Sequence, residues 1–138
     1  MARILSIDYG TKRVGLAVTD PLKIIATALD TVHSKDVIQY LKNYCVQESV
    51  ESFVVGMPKR LDNTDTNNTQ FVEIFVKQLA KHFPEIPIHL HDERFTSVMA
   101  LQAMIAGGTS KKDRRVKGNI DKVSAVIILQ SFMESKGM

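Results

Sequence analysis

Three acids stand where a carboxylate invites an explanation. Asp8 closes the short apolar run Ile4-Leu5-Ser6-Ile7 and is followed by Tyr9-Gly10. A carboxylate at the inner end of a buried strand is costly unless something pairs with it. Glu93, in His91-Asp92-Glu93-Arg94, follows a second apolar run, Ile86 to Leu90. Asp121 falls near the start of the last helical pattern, where the helix dipole favours negative charge. Three carboxylates in one cleft repel one another unless they share protons or bind cations. Oxygen ligands without His or Cys select hard ions such as Mg²⁺ or Mn²⁺. Such a site suits phosphodiester hydrolysis, in which two metal ions roughly 4 Å apart activate water and stabilise the leaving oxygen. Arg13 and Arg94 can hold phosphate oxygens beside it. Each residue also has a plainer reading. Asp8 before Tyr9-Gly10 is ordinary turn chemistry, Asp92-Glu93-Arg94 can be an ion-paired loop, and Asp121 can simply complement its helix.

The 138 residues predict a single domain, 1–138, with room for a real core. At 44% hydrophobic and 24% charged residues, the composition is that of a globular protein. No apolar run reaches the length of a membrane span, and Asp8 and Lys12 interrupt any signal-peptide layout. The single Cys45 predicts a core residue in a reducing cytoplasm, without a catalytic role. Four histidines that cluster with no cysteine give no zinc pattern. The net charge of +3 is uneven: Lys111, Lys112, Arg114, Arg115 and Lys117 against Asp113 carry a formal +4, so everything else sums to −1. A local basic segment suits a phosphate backbone, although a charge run is more often a solvated loop.

The elements that must position these groups follow from periodicity. Ile4 to Asp8 reads as a buried strand, Gly10 as a tight turn, and Val14, Leu16 and Val18 as a second strand. Ile24 to Thr31 reads as a third, closing an antiparallel meander. Ser34 predicts an N-cap for a helix ending near Glu48, with Val37, Tyr40, Leu41, Tyr44 and Cys45 on one face. Phe53-Val54-Val55 is a buried strand ending at Gly56-Met57-Pro58, and Lys59 to Asn68 a polar loop. A helix follows with Val72, Phe75, Val76, Leu79 and Phe83 buried, stopped by Pro84. Residues 87–91 form an edge strand, given Pro87. Thr96 or Ser97 caps a helix burying Val98, Leu101, Met104 and Ile105. The last helix is capped by Asn119, with Asp121 in its first turn and Val123, Ile127, Ile128 and Phe132 inward. The order β-β-β-α-β-α-β-α-α argues for an α/β fold, a mixed five-stranded sheet with helices on both faces. With strands 4–8, 53–56 and 87–91 parallel, their C-terminal ends share one edge, where ligands bind in open α/β sheets.

Asp8-Tyr9-Gly10-x-x-Arg13-x-Gly15-Leu16-Ala17, Val54-Val55-Gly56-x-Pro58, Asp92-Glu93-Arg94-x-Thr96 and Asp121-Lys122-x-x-Ala125-x-x-x-Leu129-Gln130 together resemble the YqgF family. These RuvX-like, Holliday-junction-resolvase-like proteins have the ribonuclease H fold, and the motifs span nearly the whole chain. The resemblance implies Asp8, Glu93 and Asp121 as metal-binding catalytic acids and a cytoplasmic role in maturing the pre-16S ribosomal RNA. An older reading of the family is resolution of branched DNA. Asn63 stands where the family has glycine, and Ser124 where it has alanine, beside the last acid. The expected partner is nucleic acid rather than membrane, and the protein a monomer or weak homodimer. A non-catalytic module binding RNA through the basic segment is an alternative. A phosphotransferase built on the Asp8-Gly10 hairpin is another, disfavoured because the chain is too short for two domains. Tyr9 can stack on a base or pack in the core, and His89 and His91 read as surface residues of an edge strand.

Overall fold

The computed structural model describes residues 2–57, 69–92 and 117–137, with backbone alone for Asp92 and residues 117–122. Three strands, β1 (Arg3–Tyr9), β2 (Arg13–Thr19) and β3 (Ala26–His33), form an antiparallel meander. Helix α1 (Val37–Gln47) leads to β4 (Val50–Met57), and α2 (Thr69–His82) leads to β5 (Ile88–Asp92). The last described helix, α3, spans Lys117–Ser135. The five strands lie in the order β3-β2-β1-β4-β5, with β1, β4 and β5 parallel. The expected mixed sheet is present, with β5 at one edge, and the strand ends Tyr9, Met57 and Asp92 point the same way.

Alternation along the strands divides the sheet into two unlike faces. One carries Leu5, Ile7, Val14, Leu16, Val18, Phe53, Val55 and Met57, bulky residues buried against Val37 and Leu41 of α1 and Val72, Phe75 and Leu79 of α2. The other carries Ile4, Ala17 and Val54, buried against Ala125, Ile128, Leu129, Phe132 and Met133 of α3. Ser6 and Ser52 are also buried. α1 and α2 thus cover one face and α3 the other.

Several boundaries differ from expectation, each for a local reason. β3 starts at Ala26 and not Ile24, because the Asp20 carboxylate accepts the backbone N–H groups of Ile24 and Ile25 at 2.7 and 2.8 Å. That bonding prolongs the turn and leaves both isoleucines exposed. Asp36, not Ser34, occupies the N-cap of α1; the Ser34 hydroxyl instead donates to the Thr11 carbonyl at 2.7 Å. β4 extends beyond Phe53–Val55 at both ends. α3 begins at Lys117, ahead of Asn119, so Asp121 lies beyond its first turn and no acid stands in that turn. Its buried stripe is Ser124, Ala125, Ile128, Leu129, Phe132 and Met133, with Val123 and Ile127 only partly covered. The loop at 59–68, including Asn63, and the helix expected after Thr96 lie outside the described residues.

Candidate active site

Asp8 sits half-buried near the C-terminal end of β1. Leu5 and Ile7 face α1 and α2, so alternation turns Ile4, Ser6 and Asp8 toward α3. Ser6 fixes that relation directly: its buried hydroxyl donates to the Ala125 carbonyl at 2.6 Å, across 119 residues of sequence. Gly15 lies directly opposite Asp8 on β2, and Thr31 opposite Gly15 on β3. Gly15 contributes no side chain beside the carboxylate. Gly10 closes the hairpin that carries Asp8: a Cβ there would sit 2.5 Å from the Arg13 carbonyl oxygen.

The direction of α3 follows from two points. The Ile4 N–H donates to Thr19 Oγ1 at 3.0 Å, and Thr19 pairs with Ala26. Ala26 lines a groove with Gln130, Met133 and Glu134. Two residues further along β1, Ser6 meets Ala125. α3 therefore runs antiparallel to β1. The backbone of Asp121 lies in this helix, one turn before Ala125.

Of the other expected site residues, Arg13 is exposed at the start of β2, and Lys117 is the first residue of α3. Glu93, Arg94, Lys111, Lys112, Arg114 and Arg115 lie outside the described residues. Among the described residues no three His, Cys, Asp or Glu side chains gather closely enough to hold a metal ion. Asp8 is the one expected acid whose side chain is among them.

Two expectations about neighbouring residues need correction. His89 and His91 are not surface residues. Both are half-buried and turned toward α3, where His91 Nε2 shares a hydrogen bond of 2.8 Å with Ser131 Oγ, and His89 packs on Phe132 with ring centroids 5.2 Å apart. Tyr9, with its two readings, stacks on Phe75 at 4.4 Å between centroids and so serves the core. Cys45 is half-buried on α1, and burial pushes its thiol pKa up, away from a reactive thiolate. Sequence reasoning passed over Ser6, Thr31 and the His91–Ser131 pair. The signal for Ser6 was present: a lone hydroxyl at alternate spacing between Ile4 and Asp8, in a strand otherwise apolar.

The chain matches the family model described as "RuvX: Holliday junction resolvase" over residues 2–135. A protein of Parabacteroides distasonis named "Putative pre-16S rRNA nuclease" is 50% identical over 136 residues, covering 99% of this chain and 97% of the relative. A protein of the same name from Christiangramia forsetii is 51% identical over 133 residues, covering 96% and 98%. Among solved structures, T. thermophilus RuvC in complex with a Holliday junction substrate superposes with a TM-score of 0.59 at 16% identity, covering 99% of this chain and 97% of that one. Fowlpox virus resolvase with Holliday junction DNA gives 0.58 at 12%, covering 97% and 98%. At these identities the likeness establishes the fold, which is ribonuclease H-like.

Proposed function

This chain belongs to the RuvX family, and from that premise we propose that it is a divalent-metal-dependent endonuclease acting in the cytoplasm on the precursor of 16S ribosomal RNA. The relatives at about half identity carry a pre-16S nuclease name, which supports RNA as the substrate. The observation that carries the chemistry is the Ser6–Ala125 hydrogen bond. From Ser6 to Asp8 the strand advances about 6.6 Å, which at about 1.5 Å per residue equals roughly four residues of helix. Because α3 runs antiparallel to β1, the step from Ser6 toward Asp8 leads back along α3, and four residues before Ala125 is Asp121. Glu93 follows β5, whose end shares the sheet edge with Asp8.

Asp8, Glu93 and Asp121 would hold Mg²⁺ or Mn²⁺, because an all-carboxylate donor set fits hard cations. When bound, the metal supplies an activated water and charge neutralisation at the phosphodiester. The rest is the chain's own work. The half-burial of Asp8 limits water around the carboxylate, Gly15 opposite it adds no side chain, and Arg13, exposed at the start of β2, would hold a phosphate oxygen. Asp8→Asn keeps the shape and removes the charge. We expect it to abolish Mg²⁺-dependent cleavage of pre-16S RNA while the thermal midpoint stays close to that of the parent. Full activity in purified Asp8→Asn protein overturns the proposal.

The family's description favours a second reading, cleavage of branched DNA. Symmetrical resolution of a junction requires two active sites, hence a dimer. A strict monomer by analytical ultracentrifugation in the presence of junction DNA rejects that reading and leaves the first intact.

A further inference from the structure

At the same sheet edge as Asp8 lies a group of basic residues. Arg13 opens β2 and His33 closes β3, paired directly across the ladder. Their neighbours Val14 and Val32 belong to the core under α1 and α2. Alternation therefore turns Arg13 and His33 to the opposite face, the one Asp8 shares. They form a row one pleat outside the row of Asp8, Gly15 and Thr31. With strands about 4.8 Å apart, β3 lies about 10 Å across the sheet from β1.

Two loops meet beside this row. The Ser34 N–H donates to the Lys12 carbonyl at 3.1 Å, and the Ser34 hydroxyl to the Thr11 carbonyl at 2.7 Å. The turn carrying Lys12 and the turn carrying Lys35 are thereby stitched together, and both lysines are exposed. The Lys35 N–H donates to His33 Nδ1 at 3.0 Å. A ring nitrogen that accepts carries no proton, so a neutral His33 holds its proton on Nε2, as a donor. Asp36 is the one acid in 11–13 and 33–36.

We propose that Lys12, Arg13, His33 and Lys35 form a phosphate-binding ridge that holds the nucleic-acid strand on the β2–β3 side of the carboxylates. The assignment rests on the nuclease reading above. A centre built from carboxylates repels a polyanion, and cations one row further out offset that repulsion along the strand's path. Contacts of this kind position a strand without reading its bases. They weaken with salt, because each neutralised phosphate releases condensed counterions.

The test is equilibrium binding in the Asp8→Asn background, using a short fluorescent single-stranded RNA and a DNA strand of the same sequence. The probe variant is Lys12→Ala/His33→Ala/Lys35→Ala, whose side chains are exposed. The control is Lys81→Ala in the last turn of α2, at the opposite sheet edge. We expect the triple variant to bind at least about tenfold more weakly at low salt. The slope of log affinity against log salt should shrink by about 1.4, since each of the two lost lysine–phosphate contacts accounts for about 0.7 on a single strand and a neutral His33 releases no counterion. The control keeps the parent affinity. Equal losses on RNA and DNA support phosphate recognition, whereas a loss confined to RNA points to the 2′-hydroxyl and overturns it. A triple variant with the parent's affinity and slope overturns the ridge and leaves the nuclease reading standing. A parent that binds neither strand overturns both.

Discussion

At the scale of single residues, Ser6 is the side chain whose loss should be felt furthest. Ser6→Ala removes one buried hydrogen bond to Ala125. The Ala125 carbonyl also has a helical partner to fall back on, so the cost should be about 1 kcal/mol and not the larger penalty of an orphaned group. Urea unfolding measures it. Cleavage should fall by more than that destabilisation accounts for, if the bond sets the height of Asp121 against Asp8. Asp20 offers a test by pH. Its pKa is lowered, chiefly by the Ile25 backbone N–H; desolvation opposes the shift, and the Ile24 N–H adds to it. A group with a depressed folded-state pKa stabilises above its unfolded pKa and loses that contribution as pH falls through the folded value. The Tm difference between parent and Asp20→Ala should therefore persist at neutral pH and vanish in acid below the ordinary carboxylate range. The place of Asp8 near the end of a buried strand was legible from sequence, because an acid ending an apolar run is physically conspicuous. Ser6 was not, because a small hydroxyl in a strand discloses its partner only once the distant helix is in position.

At the scale of elements, the strands and helices were legible wherever apolar periodicity was long and clean, as in β1, β2 and α2. Their ends were less so. Side-chain capping decided the start of β3 through Asp20, and Ser34 was drawn away from its expected cap by Thr11. The edge strand β5 shows a further limit. Alternating histidines look solvent-facing until α3 covers them, after which His91 bonds Ser131 and packs edge-on against Phe132. That bond ties the strand leading to Glu93 to the helix bearing Asp121. A double-mutant cycle with His91→Ala and Ser131→Ala should give a coupling of about 0.5–1.5 kcal/mol in thermal or urea unfolding. No coupling would mean that the described packing of Phe132 on the two histidines, and not this bond, links the two elements.

At the scale of the whole molecule, two unlike sheet faces divide the labour. The bulky face under α1 and α2 supplies cohesion, and the face under α3, where small and polar residues intervene, carries the candidate site. Phe53, fully buried at the centre of the first face, should cost about 3–5 kcal/mol when changed to Ala, read by urea unfolding. No described helix is long and apolar enough to cross a membrane. Fold class and the mixture of antiparallel and parallel pairing were legible from the run of strands and helices, because parallel pairing needs crossovers and antiparallel pairing needs only turns. Convergence of remote segments was legible only as a requirement of chemistry. The strand order β3-β2-β1-β4-β5 has a temporal side as well. The meander can assemble from nearest neighbours, yet it then leaves the inner flank of β1 bare until β4 arrives from across α1. A newborn chain thus presents a sticky border in its own middle, and its refolding speed in dilute solution should depend on how fast that gap is filled.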